Sequence, residues 1–148
     1  AAVIAADISP EALAVARANA RQHGVSGRIT FLQGDLLEPL IARGLRPGLI
    51  MANLPYIPEG ELPALAVTRF EPRLALAGGP ACLDLMRRLL EQAAALCAPD
   101  ALLLLEIGAG QGEAALAAAR ERLPLREAAV LRDYAGHDRI VRLITGRR

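Results

Sequence analysis

Four polar residues stand at or just past the end of short apolar runs: Asp7, Asp35, Asn53 and Glu106. In an open α/β sheet, ligands bind beyond the carboxyl ends of the strands, so such residues are the first candidates for chemistry. Asp7 offers a carboxylate that can accept from both hydroxyls of a ribose, as in dinucleotide folds. Its competing role is to cap a helix starting at Pro10, but Ser9 already occupies the capping position. Asp35, in "GDLL", can accept from an adenine amino group, with Leu36 as an apolar wall for the base. The alternative for Asp35 is an Asx-type turn.

Asn53 differs from the other three in its downstream neighbours. The stretch "MANLPYIPEGELP" (51–63) places one carboxamide directly after a strand-like run, then stiffens the chain with Pro55, Pro58 and Pro63. Proline fixes φ and removes a backbone donor, so this segment holds a set course. The plain structural reading is a rigid strand-to-loop turn with Tyr56 in the core.

The surrounding pattern must hold these residues. "AVIAAD" (2–7) is a continuous apolar run, the mark of a strand buried on both faces. Ser9 and Pro10 open a helix with Leu13, Val15 and Ala16 at helical spacing, ending at Gly24. "RITFLQGD" (28–35) and "PGLIMAN" (47–53) read as strands, the latter after a Pro-Gly turn. Residues 54–80 are rich in proline and glycine, too irregular for one regular element and too long for an idle connector. The segment 82–98 is a strong helix, with Leu83, Met86, Leu89, Leu90, Ala93 and Leu96 on one side, stopped by Pro99 and Asp100. "ALLLLEIG" (101–108) is a central strand, and "GEAALAAARERL" (112–123) is a helix ended by Pro124. "EAAVLRD" (127–133) and "DRIVRLIT" (138–145) are strands joined only by "YAGH". A parallel crossover needs about a dozen residues, so this pair is antiparallel if the strands are neighbours. The order β-α-β-β-α-β-α-β-β implies a doubly wound α/β sheet.

Composition sets the bounds. The 148 residues suffice for one domain with a core, and 53% hydrophobic with 22% charged residues is ordinary for a globular protein. No apolar run approaches the roughly 18 residues of a membrane span, and no signal peptide is visible at the start, which lacks an initiator Met. The net charge is +1, with 17 arginines and no lysine, so no large basic field advertises nucleic-acid binding. Cys82 and Cys97 fall on what reads as one helix, roughly 22 Å apart and far beyond disulfide reach. Two buried thiols suit a reducing cytoplasm. With His23 and His137 they form no recognisable metal-ligand set, so no metal is expected.

The segments "ADISPEAL", "GDLLEP", "NLPY", "FEPRLALAGG", "LLLEIGAGQG" and "DYAGHDRIV" occur in that order. Together they resemble the release factor glutamine methyltransferases, S-adenosylmethionine-dependent enzymes with the class I methyltransferase fold. DNA and rRNA amino-methyltransferases use the same kind of asparagine loop; the "EP…AL…GG" and "EIG…Q" stretches sharpen the protein-glutamine reading. The resemblance implies that Asn53 and Tyr56 are catalytic. Asn53, Leu54, Pro55 and Tyr56 bind the substrate amide, and Asp7, Asp35, Leu36 and Asn53 bind the cofactor. A carboxamide NH2 has two donors, and the implied acceptors are the Asn53 side-chain oxygen and the Leu54 carbonyl. Tyr56 lays its ring on the flat amide. The implied substrate is a glutamine of a peptide chain release factor, modified in the cytoplasm by a monomer that binds neither membrane nor nucleic acid directly.

The family fold has seven strands, the last antiparallel, and six are found here. The first strand, with its E-x-G-x-G loop, is missing, as is a small N-terminal helical domain. "EIGAGQG" (106–112) is not that loop, because it follows the asparagine loop whereas the cofactor glycines should precede Asp7. Residues 1–148 therefore read as a partial methyltransferase catalytic domain and a fragment of a longer protein. The absent strand belongs between those ending at Asp7 and Asn53, and its loss should leave a cleft in the sheet or unpaired backbone groups. Three positions depart from the family pattern: Leu54 stands where proline is usual, and Ala81 and Cys82 where Asp and Gly are common. Cys82 reads as a small buried residue. Glu71 and Arg73 either shape the substrate mouth or form surface pairs. Two other readings compete. A nucleic-acid amino-methyltransferase would flip its base out of the stack and need a basic track. A degenerate domain would not hold the cofactor.

Overall fold

The computed structural model describes residues 2–79 and 82–147. The chain divides into two compact units, Ala1–Leu45 and Arg46–Arg148.

The first unit contains β1 (Val3–Asp7), α1 (Pro10–Gln22), β2 (Ile29–Gln33) and the short α2 (Glu38–Ile41). Strands β1 and β2 run parallel, with Val3 opposite Ile29 and Asp7 opposite Gln33. Helix α1 begins where the sequence says it should: Ser9 Oγ accepts the Ala12 N–H at 3.0 Å, and Pro10 is the first helical residue. Leu13, Ala20, Leu37 and Leu40 are buried. The expectation that the first strand is buried on both faces is wrong here. Val3 is 46% and Ile4 36% exposed, because β1 has β2 as its only strand partner among the described residues and packs mainly on α1. Val15, one of the apolar residues at helical spacing in α1, is exposed as well.

The second unit contains β3 (Leu49–Asn53), α3 (Arg73–Leu76), α4 (Asp84–Leu96), β4 (Leu102–Glu106), α5 (Gly112–Arg122), β5 (Leu125–Arg132) and β6 (Asp138–Thr145). Its sheet has the order β3-β4-β6-β5. β3 and β4 are parallel, β6 lies antiparallel to β4, and β5 and β6 are antiparallel as the short link between them requires. Strand β5 starts two residues earlier than the sequence suggests, directly after Pro124. Leu103, Leu105 and Ile107 on one side of the sheet register, with Val141 and Leu143, form the centre of the core. Helix α4 buries Met86, Leu89, Leu90, Ala93 and Leu96, the stripe read from the sequence. Thr145 is buried but satisfied: its Oγ1 donates to the Ala98 carbonyl at 2.7 Å and accepts the Ala101 N–H at 2.9 Å.

The described strands thus form two separate sheets, β1-β2 and β3-β4-β6-β5. The cysteines need correction. Helix α4 starts at Asp84, so Cys82 precedes it, Cys97 caps its end, and both are half-buried. Burial still pushes the Cys97 thiol up, which keeps it protonated near neutral pH. No helix among the described residues is long and apolar enough to cross a membrane.

Candidate amide-binding site

Asn53 is the last residue of β3 and lies in register with Glu106, the last residue of β4. Alternation along β3 puts Leu49, Met51 and Asn53 on one face, and all three are exposed, while Ile50 on the other face is buried. The carboxamide is therefore offered outward from a strand whose inner face is anchored. Leu54, Pro55 and Tyr56 continue as a turn, with Pro55 and Tyr56 half-buried.

Tyr56 is fixed at both ends. Its hydroxyl donates to Glu106 Oε1 at 3.3 Å, and its carbonyl accepts from Gln111 Nε2 at 3.1 Å. Gln111 Oε1 in turn accepts the Gly108 N–H at 2.9 Å. One residue on, Ile57 forms a parallel bridge with Ala77. Its N–H donates to the Leu76 carbonyl at 3.1 Å, and its carbonyl accepts the Gly78 N–H at 2.9 Å. Gly78 has to be glycine for this: a Cβ there would stand 2.8 Å from Tyr56 Cα and 2.9 Å from its carbonyl carbon. The proline-rich loop is thus held by ladder and side-chain bonds as well as by its prolines.

Behind the turn, the Arg139 guanidinium donates to Asp133 Oδ2 at 3.2 and 3.3 Å and to the Ile107 carbonyl at 3.4 Å. Asp133 also accepts the N–H groups of Ala135 and His137, each at 3.0 Å. The His137 N–H is the main cause of a carboxyl held below the usual range, helped by the Arg139 and Ala135 donors.

The remaining loop carries short 3-10 turns at Leu62–Ala64 and Ala66–Arg69. Phe70 and Leu74 are exposed, at 85% and 63%. Arg73 pairs with Glu59 at 3.5 Å, with both side chains largely in solvent, so the pair contributes little to stability. Glu71 is exposed. Ala81 lies outside the described residues. Cys82 is not the simple buried residue expected: its backbone is left-handed, at φ +57°.

In the first unit, Asp7 and Asp35 stand at the carboxyl ends of neighbouring parallel strands. Asp7 Oδ1 accepts the Ser9 N–H at 2.8 Å, so the residue supports the entry to α1 even though Ser9 supplies the cap. Its carboxylate remains exposed. Gly34, whose N–H donates to the Asp7 carbonyl at 3.0 Å, admits no Cβ, because the Pro39 ring would lie 2.3 Å away. That close approach explains why glycine precedes Asp35. The Asp35 carbonyl accepts the Glu38 N–H at 3.1 Å, and Leu36 comes next in a left-handed conformation, φ +50°, half-buried.

The sequence pattern points to Asn53, Tyr56 and Glu106 but assigns no role to Gln111 or Gly78. Gln111 bonds to a residue 55 positions away, which no local spacing reveals. The "EIG…Q" and "GG" stretches are its only signal.

The release factor glutamine methyltransferase of Moorella thermoacetica is 54% identical over 138 residues, covering 93% of this chain and 48% of that protein. That of Staphylococcus aureus is 37% identical over 141 residues, covering 94% and 50%. The chain is homologous to the release factor glutamine methyltransferases. It spans about half the length of the curated relatives it matches. No protein-family model matches. Among solved structures, the ribosomal protein L11 methylase of Lactobacillus delbrueckii subsp. bulgaricus aligns with TM-score 0.61 and 19% identity, over 99% of this chain and 58% of that one. TrmN of Thermus thermophilus aligns with TM-score 0.60 and 23% identity, over 97% and 36%. An RNA methyltransferase of Salinibacter ruber, solved with S-adenosyl-L-homocysteine, aligns with TM-score 0.52 and 19% identity, over 100% and 68%. The fold is that of the Rossmann-like class I methyltransferases, as the strand pattern implies.

Proposed function

We propose that both units are parts of one catalytic domain, and that it methylates the side-chain amide nitrogen of a glutamine in a peptide chain release factor. The observation that carries this is Asn53. Its carboxamide is exposed at a strand end, directly before a turn fixed through Tyr56 to Glu106 and Gln111. The 54% identical relative supports the protein-glutamine assignment.

An amide nitrogen is a weak nucleophile, because its lone pair is shared with the carbonyl. Holding that nitrogen in line with an electrophile can lower the barrier by several kcal/mol without a strong base. The Asn53 side-chain oxygen and the Leu54 carbonyl accept hydrogen bonds from the two amide N–H groups and set the direction of the lone pair, and the nitrogen loses one of those protons to solvent once the methyl has transferred. Pro55 restricts the turn between them and Tyr56. Tyr56 covers the amide face and excludes water, its hydroxyl tethered to Glu106. S-adenosylmethionine, when bound, supplies an electrophilic sulfonium methyl. In the first unit, the exposed Asp7 carboxylate suits a ribose diol, Asp35 an adenine amino group and Leu36 the face of the base. The reaction takes place in the cytoplasm, with a monomeric enzyme and no direct contact to nucleic acid. The net charge of +1 supports the last point.

The test is methyl transfer from labelled S-adenosylmethionine by the intact protein, offered a release factor, rRNA and DNA separately. Label on a release-factor glutamine is expected. Label on nucleic acid alone would replace the substrate assignment, and failure to bind the cofactor would favour a degenerate domain.

A further inference from the structure

Gln111 sits at the N-cap position of α5, yet its side chain makes no cap bond to that helix. Both ends of its carboxamide are used elsewhere: the oxygen by the Gly108 N–H and the nitrogen by the Tyr56 carbonyl. The Tyr56 carbonyl belongs to the same peptide plane as the Ile57 N–H, which donates to Leu76. That plane is therefore gripped on both edges, by Leu76 on one side and Gln111 on the other. Upstream, Asn53 is held by its place in the β3–β4 register. Only Leu54 and Pro55 lie between the two anchors, and proline has one φ. The direction of the Leu54 carbonyl is thereby set by the anchors.

Resting on the proposed amide methylation, we infer that Gln111 is a positioning residue: its carboxamide sets the peptide plane after Tyr56 and so aims the Leu54 carbonyl at the substrate amide. The position calls for an acceptor facing Gly108 and a donor facing Tyr56 at once. A carboxamide supplies both. An ionised carboxylate opposes the Tyr56 carbonyl with a second acceptor, whereas a neutral carboxyl group can again donate.

The experiment compares Gln111→Ala and Gln111→Glu with the wild type, in the intact protein, for methyl transfer to a release factor. Gln111→Ala is expected to lower kcat roughly tenfold to a hundredfold, the scale of a small misplacement of reacting groups. Its affinity for S-adenosylmethionine should stay within about twofold, because the bonds it loses are in the amide loop. Gln111→Glu should match Gln111→Ala above neutral pH. Its kcat relative to wild type should rise as the pH falls, because the carboxyl must be neutral to donate to the Tyr56 carbonyl. Amide hydrogen exchange at Ile57, read without substrate, should be faster in Gln111→Ala. Wild-type kcat in both variants, or a Gln111→Glu to wild-type ratio that is flat with pH, would overturn the positioning role. If the wild type transfers nothing to a release factor, the functional proposal falls instead. Ile57 exchange then decides the clamp, and unchanged protection would refute it.

Discussion

Cys82 holds a left-handed backbone, φ +57°, and its N–H donates to the Gly79 carbonyl at 3.2 Å. For an L-residue this conformation costs about 1–2 kcal/mol. Glycine would remove that cost but adds back about 0.5–1 kcal/mol of unfolded-state entropy. Cys82→Gly is therefore expected to stabilise the protein by about 1 kcal/mol or less, measured by denaturant unfolding; a loss of stability would show that the thiol's packing outweighs the strain. The sequence marks Cys82 only as a departure from a glycine, since backbone sign is not written in a residue type. The positions of Asn53 and Tyr56, at a strand end and in the turn after it, are legible because a carboxamide followed by prolines is locally unusual. Gln111 is not, because its partner is brought to it by the β3–β4 pairing and by the turn after β4.

At the scale of elements, the β5–β6 hairpin turn is held by one carboxylate. Asp133 accepts the His137 and Ala135 N–H groups and pairs with Arg139, and these donors lower its pKa in the folded state. A depressed folded pKa means that the contribution is complete above the unfolded value, near 3.8, and is lost as the pH falls through the lower folded value. Acid unfolding of Asp133→Asn should therefore be less steep than that of the wild type below about pH 4. Identical acid profiles would contradict the assigned bonds. The hairpin itself is legible, since a four-residue link permits only one strand direction. The helix α4 stripe is legible too, from apolar residues at helical spacing. The start of β5 at Leu125 is not, because Pro124 reads as ending a helix and not as opening a strand.

At the scale of the whole molecule, the strands differ in how many neighbours they have. β4 lies between β3 and β6, with Leu103 at 0% and Leu105 at 1% exposure. Among the described residues, β1 is paired on one side only and has no buried residue. Local opening free energy tracks burial and pairing. Amide exchange in this chain should be slowest in β4 and β6 and much faster in β1. Equal protection in β1 and β4 would contradict the pairing described here. An apolar run reveals that a strand wants to be buried, but not how many neighbours it will find. That is why the sequence misjudges the exposure of β1 while giving its existence and direction.

Asn53, in the proposed reaction, orients a glutamine amide for methylation. The most direct test is Asn53→Ala in the intact protein, measuring kcat for methyl transfer to a release-factor glutamine alongside S-adenosylmethionine binding. Loss of a fixed hydrogen-bonding group at the reacting centre is expected to lower kcat about a hundredfold to a thousandfold, with cofactor affinity changed by far less. An Asn53→Ala protein that methylates the glutamine at the wild-type rate would rule out that role for Asn53.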